Sequence, residues 1–439
     1  MFSVTNKQWI NWSESFISKP EMILYPKNEQ DINNIINYCQ KNDKKIRVIG
    51  AGHSFTPLAV TNSILLSLEH FSGIDKIDYE NKRVSVWAGT TLLELGKLLY
   101  EHDLSMENLG DINVQTIAGA ISTGTHGSGI NFGNLSTQVT ELTVITASGD
   151  YLTISDTENS HLFNAARLSL GLLGIIIKVK IKVISAHQLI SVSKRSTINK
   201  SFPILKELTE TNRHFEFFWF PHTETIQIKT LNPVLSNFKN NIKGPSTFND
   251  LVIENGALGL VSKLSRMQPK LSKCVSKLIA LGVPTGRTIG NSFEMYATPR
   301  LVKFNEMEYS IPAEHMDSAI RDINYVIQKY KFDVHFPIEC RYVKGDDLWL
   351  SPSYERDSAY IAIHMYKGME YKHFFAKLEE VFRHYQGRPH WGKEHTLTSV
   401  DLQNLFPKYN DFLQIRKQLD PNNLFLNHYL AELFTINDS

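Results

Sequence analysis

An α+β protein built in two parts is the fold class this sequence predicts, and two observations carry it. Over residues 1–187 short apolar runs alternate with segments of helical spacing; from 188 strand-like segments follow one another, each alternating apolar with polar residues. The first texture fits mixed strands and helices, and the second a large antiparallel sheet with flanking helices. A chain of 439 residues can fill two or three cores. The expected divisions are 1–187, 188–410 and a last segment, 411–439.

EMILYP opens the first part as a strand, DINNIINYCQKN follows with helical spacing, and KKIRVIG is a second strand. RVSVWAG precedes TLLELGKLLYEHDL, where Leu92, Leu95, Leu98 and Leu99 form one apolar helical face. In ELTVITASGDYLTIS the triplet Ser148-Gly149-Asp150 reads as a hairpin turn, and KVKIKVISA is an alternating strand. The second part shows HFEFFWFP, TIQIKTL, FNEMEYSIP, PIECRYV and SAYIAIHMY as strands, with YKHFFAKLEEVFRHY as an amphipathic helix closed by Gly387 and Pro389. The basic stretch 256–282, broken at Pro269, reads as a solvated helical pair packed by its leucines, with a membrane-surface helix as the alternative.

Composition narrows the partner. Lys+Arg 46 against Asp+Glu 45 gives no basic surface for nucleic acid and no acidic disordered chain, so a small molecule is expected. Cys39, Cys274 and Cys340 lie far apart, which argues against a disulfide framework or a thiolate metal site, and no metal is expected. A reducing, cytoplasmic location follows from that usage. The longest apolar run, 168–177, stops at Lys178 and Lys180, well short of a membrane span.

Two glycine-rich turns hold the strongest chemical signal, GAGHS at 50–54 and STGTHGSG at 122–129. Glycine lets backbone N–H groups close on a ligand, and successive N–H groups suit a pyrophosphate. The first turn lacks the third glycine and the long helix of a dinucleotide fingerprint, so a nicotinamide dehydrogenase is disfavoured. On spacing, Glu339 and Arg341 share one face of a strand, as do His364 and Tyr366, and GDDLWLSPSYERD is long enough to make those strands antiparallel neighbours.

IRVIGAGHSFTPLAVTNSILLSLEHFSGI, GDINVQTIAGAISTGTHGSG and GLLGIIIKVKIKV resemble the FAD-binding domain of the vanillyl-alcohol oxidase superfamily, in its sugar-1,4-lactone and alditol oxidase branch. MYATPRLVKFNEMEYSIP, the strands PIECRYV and YIAIHMY, RPHWGK and LDPNNLFLNHYL resemble the second domain and C-terminus of the same branch. The resemblance implies a two-part FAD-binding domain, a substrate (cap) domain, and a C-terminal segment that returns to the FAD domain.

It also implies roles. FAD would lie against Gly50, Ala51, Gly52 and Ser54, with His53 bonded covalently to the flavin 8-methyl carbon. Ser122, Gly124, Thr125, His126 and Gly127 would form a second wall, His126 alternatively only packing or capping its turn; Gly174, Ile175 and Ile176 would pass the adenine end. Glu339, Arg341 and Lys393 would bind substrate and act in catalysis, with Lys393 and Arg341 stabilising the reduced flavin and oxygen species, and His364 is the candidate base. Tyr366 stands where similar alditol oxidases carry threonine, which favours a ring-closed lactone.

The activity implied is oxidation of an aldono-1,4-lactone with O2 as acceptor, giving H2O2. Alternatives are an alditol oxidase, a lactone dehydrogenase using a cytochrome or quinone, and a non-catalytic flavin carrier held at a membrane by 256–282.

Overall fold

The computed structural model describes residues 3–5, 8–234, 259–298 and 301–434. Positions 256–258 of the basic stretch lie outside them. Among the described residues the chain builds three principal sheets.

The first contains β1 (Ser3–Thr5), β2 (Met22–Tyr25), β3 (Ile46–Ile49) and β4 (Ile64–Ser67), in the order β1-β2-β4-β3. β2 and β3 both run parallel to β4, which demands a crossover. Helix α1 (Glu29–Lys41) supplies it, capped by the Asn28 side chain on Asp31 N–H and burying Ile32, Ile35, Ile36 and Cys39. Those four residues repeat at 3–4 positions and cover the sheet with one stripe.

The second sheet is antiparallel and contains β5 (Ile74–Asp78), β6 (Arg83–Trp87), β7 (Val139–Ile145), β8 (Tyr151–Ser155) and β9 (Ile175–Lys182), in the order β8-β7-β9-β6-β5. The 148–150 turn joins β7 to β8, with Gly149 at φ 88°. Helix α2 (Leu92–Glu101) buries Leu92, Leu95 and Leu99. Helix α3 (Ile117–Thr123) starts at Thr116 and ends at Gly124 in the left-handed conformation.

Eight antiparallel strands form the third sheet: β10 (Gln188–Thr197), β11 (His214–Trp219), β12 (Thr225–Pro233), β13 (Gly286–Asn291), β14 (Phe304–Pro312), β15 (Ile338–Val343), β16 (Ser358–Tyr366) and β17 (Arg388–Pro389). Their order is β13-β10-β12-β11-β15-β16-β14-β17. β14, β15 and β16 are buried along nearly their whole length; helices α4 (Met316–Tyr330) and α5 (Lys372–His384) pack together with their apolar stripes buried, and α5 also contacts β14. Residues 424–427 return to the first sheet: Ile46 N–H donates to Leu424 O at 2.8 Å, and Asn427 Nδ2 donates to Pro57 O and Val60 O, each at 2.8 Å.

The basic stretch departs from its expected packing. Its leucines face outward, and its serines, with Val275 and Ala280, fill the buried side. No described helix is long and apolar enough to cross a membrane.

Candidate active site

β3 ends on the GAGHS turn, and the turn faces α3 across a cleft of about 340 Å³. Gly50, Ala51, Gly52, His53, Ser54, Ser122, Gly174 and Ile176 line it. Gly50 permits the approach of the two walls, since a Cβ there would lie 2.5 Å from Thr116 Oγ1. Gly52 has φ +69°, a conformation that disfavours any other residue, and a Cβ would meet the Trp9 ring at 3.1 Å. Thr125 and His126 instead line a second, smaller cavity, while Gly124, Gly127 and Ile175 line neither space.

The smaller cavity, about 60 Å³, adjoins the cleft at His53, Ser54, Gln115 and Thr123, which line both. His53 is therefore the hinge between a glycine-lined trough and a polar chamber. Its Nδ1 is buried with no hydrogen-bond partner among the described residues, and its ring stacks on Trp12 at 5.2 Å. Burial, with Lys393 adding to it, holds the imidazole down at about 4, so the ring is neutral at pH 7 and keeps a lone pair.

Strand register builds the chamber wall. Residues opposite one another in antiparallel strands share a face: Arg341 of β15 pairs with Glu216 of β11, Glu339 pairs with Ala362 of β16, and Ala362 and His364 pair with Glu308 and Glu306 of β14. Four strands thus project four glutamates, an arginine and a histidine to one side. Arg341 is ion-paired with Glu339, donates to Glu216 at 2.9 Å, and lies 3.5 Å from Asp111. These carboxylates outweigh the cost of burial and raise its pKa well above the usual guanidinium value.

Glu306 sits between two cations-to-be. It pairs with Lys393 and lies 3.3 Å from His364 Nε2. Burial pushes Glu306 up, but Lys393 and His364 hold it below the usual carboxylate value; burial likewise pushes Lys393 down, and Glu306 and Glu308 more than reverse it. His364 Nδ1 lies 3.2 Å from Pro337 O. With Nδ1 donating there, Nε2 is the nitrogen that faces Glu306, and it bonds the carboxylate when it carries a proton.

Lys393 reaches this place because its turn docks on the first glycine turn. Phe55 N–H donates to Gly392 O at 2.6 Å, Thr56 Oγ1 donates to Trp391 O at 2.8 Å, and Lys393 Nζ lies 5.0 Å from the centre of the Phe55 ring. His126 bonds Glu308 at 3.2 Å and packs on Tyr360 at 3.9 Å. His126, Glu308 and His390 hold their ligating atoms within 4.8 Å of one another, a trio the sequence did not suggest. His390 accepts Gly392 N–H on Nδ1 at 3.0 Å, so its proton sits on Nε2 and neither nitrogen is a free ligand.

Of the predicted residues, the structure gathers Glu339, Arg341, His364, Lys393, His53 and His126 around one chamber. It does not bring Tyr366 there. That ring, on the same face of β16 but farther along, stacks on Phe336 at 6.3 Å with the Arg266 guanidinium 5.8 Å from its centre. Sequence reading missed Glu306, Glu308, Asp111, Gln115, His390 and, behind Arg341, Glu216. The two glutamates of FNEMEYSIP carried the same spacing of two as Glu339 and Arg341, with Met307 and Tyr309 buried on the opposite face.

Comparison with known proteins adds independent weight. The sequence model of the D-arabinono-1,4-lactone oxidase family matches residues 179–433, and that of an FAD binding domain matches residues 20–155. The chain belongs to the D-arabinono-1,4-lactone oxidase family. Within reach of it, the L-gulono-1,4-lactone dehydrogenase of Mycobacterium tuberculosis is 33% identical over 424 residues, covering 96% of this chain and 97% of the relative. The L-gulonolactone oxidase of Mus musculus is 31% identical over 438 residues, covering 97% and 98%. The fold matches the crystal structure of cholesterol oxidase from B. sterolicum with a TM-score of 0.83 at 18% identity, over 99% of this chain and 97% of that one. Family membership makes the chain an FAD-linked oxidoreductase with a two-domain α+β fold.

Proposed function

We propose that the protein oxidises a CH–OH group of a neutral aldono-1,4-lactone, passing hydride to FAD held in the glycine-lined cleft. The observation that carries this reading is the position of His53, shared by a trough of dinucleotide size and a chamber lined by Asp111, Glu306, Glu308, Glu339, Arg341 and Lys393. Residues 1–187 act as the cofactor domain, 188–410 as the substrate domain, and 411–439 as a closing segment.

The residues fit the cofactor. Gly50–Ser54 and Ser122 flank the cleft closely enough to hold a pyrophosphate, and the unpartnered Nδ1 of His53 suits a covalent tether. When bound, FAD supplies the two-electron chemistry. Lys393 and Arg341 stabilise negative charge that develops beside the chamber. His364 Nε2 takes the hydroxyl proton, and Glu306 stabilises the resulting imidazolium. Glu339 and Asp111, fixed by Arg341, orient substrate hydroxyls.

Four carboxylates against two permanent cations make the chamber hostile to an aldonate anion, which supports a neutral lactone or polyol. The names of the relatives, lactone oxidases and a lactone dehydrogenase, favour the lactone; O2 is the acceptor proposed, with H2O2 as product. An anaerobic flavin-bleaching screen over lactones, alditols and aldonates, repeated in air with peroxide detection, tests the reading. Bleaching by lactones with peroxide in air supports it. Bleaching by alditols alone, or no peroxide, refutes the substrate or the acceptor respectively.

A further inference from the structure

We propose that residues 259–281 form a docking surface for an anionic lipid bilayer. The segment folds as a helix over 259–267, a tight turn at Pro269–Leu271, and helix α6 (Ser272–Leu281). The leucines of both helices point outward, while serines, with Val275 and Ala280, fill the side packed on the protein. Ser262, Ser265, Ser272 and Ser276 are 0% exposed, whereas Leu264 is 48%, Leu278 59%, Leu281 71% and Met267 81% exposed. Serine is the less favourable residue to bury and leucine the less favourable to leave in water, so the sequence places its apolar area outward at a cost.

The concentration of that area is unusual. Of the 18 large apolar side chains exposed among the described residues, six fall within 260–281. Scattered exposed apolar residues need no explanation, but a contiguous group marks a contact surface.

Charge identifies the partner. Lys263, Lys270, Lys273 and Lys277 each precede one exposed residue, Leu264, Leu271, Cys274 and Leu278, while Arg266 turns its guanidinium towards the Tyr366 ring, and 259–287 contains no acidic residue. In a chain with 46 basic and 45 acidic residues, that local imbalance selects an anionic surface. The apolar stripe argues against nucleic acid, whereas basic side chains flanking leucines suit a bilayer interface, the leucines entering the acyl boundary and the cationic heads reaching lipid phosphates. Since no described helix can cross a membrane, the association is peripheral. The platform is anchored to the body of the protein: Ser276 Oγ donates to Pro221 O at 2.5 Å, and Ser262 Oγ meets His335 Nε2 at 2.9 Å.

The test is co-sedimentation of the full chain with vesicles of phosphatidylcholine alone or mixed with phosphatidylglycerol, at low and high salt. Pelleting with the anionic vesicles only, reversed by salt, is expected. Each basic side chain at an anionic surface is worth roughly fivefold, so Lys270→Ala/Lys273→Ala/Lys277→Ala should weaken partition about a hundredfold. Leu278→Ser/Leu281→Ser should weaken it too, with an unchanged melting temperature because both side chains are exposed. Failure to pellet, equal pelleting with both vesicle types, or unchanged pelleting of both variants overturns the proposal. So does a wild-type dimer on gel filtration that Leu278→Ser/Leu281→Ser converts to monomer, which would assign the face to a second copy.

Discussion

Replacing Glu306 by Gln removes the charge that pairs with Lys393 and faces His364. Gln keeps the size and one oxygen of the carboxylate, so the chamber should keep its shape while the ion pair is lost. Glu306 and Lys393 are in direct contact, and Glu306 is only 5% exposed. A unit charge pair about 4 Å apart at an effective dielectric near 20 is worth about 4 kcal/mol, or about three pKa units. Glu308, which also holds Lys393 up, remains, so the fall is bounded by that figure. Lys393, held above the usual lysine value in the wild type, should then titrate markedly lower in Glu306→Gln. Stopped-flow flavin reduction from about pH 6 to 10 reads this directly: the variant should lose rate towards the alkaline end while the wild type stays flat. Lys393→Arg added to Glu306→Gln should flatten the profile again, because a guanidinium stays charged. A Glu306→Gln profile parallel to wild type would refute the assignment of charge stabilisation to Lys393.

Other outcomes follow from the same geometry. His53→Ala should leave FAD bound but release it into the supernatant on acid precipitation, whereas wild-type flavin stays with the pellet; wild-type flavin in the supernatant would exclude the covalent bond. Gly52→Ala forces a left-handed alanine against Trp9, which should cost about 1–2 kcal/mol and lower flavin occupancy measured by absorbance. His214, His335 and His395 are held by burial at about 4. Their unfolded forms bind protons below about 6.5 while the folded forms do not, so stability falls as pH drops from about 6.5 towards 4, by up to about 2 kcal/mol per histidine at pH 5. Melting temperatures across that window check it, and a flat line would show that these rings are not buried neutral.

Much of this was legible in the residues. Strand periodicity placed Glu339 and Arg341 on one face, and the length of GDDLWLSPSYERD allowed β15 and β16 to be the antiparallel neighbours they are. The same rule applied to FNEMEYSIP would have exposed Glu306 and Glu308. Asp111 and Gln115 were not legible, since they sit on an irregular loop where no period relates sequence to direction. Tyr366 shows the limit of spacing alone: it shares the face of His364, yet one further step along β16 carries it into the Phe336 stack. The 256–282 stretch failed for a different reason. A helical stripe says which residues point together, and only the neighbours decide whether that direction is inward.

The hydrogen bonds from residues 424–427 have a consequence for biosynthesis. Arg47, which lines the glycine-lined cleft, is held by the carbonyl of Phe425, and Asn427 grips the backbone at Pro57, 370 positions earlier in the chain. While a nascent chain is still emerging, the strand that carries His53 exists but its last fastener does not. The trough is finished only once residues 424–427 have been made, so flavin capture waits for them, and Asn427→Ala should yield protein that is made but poor in flavin colour.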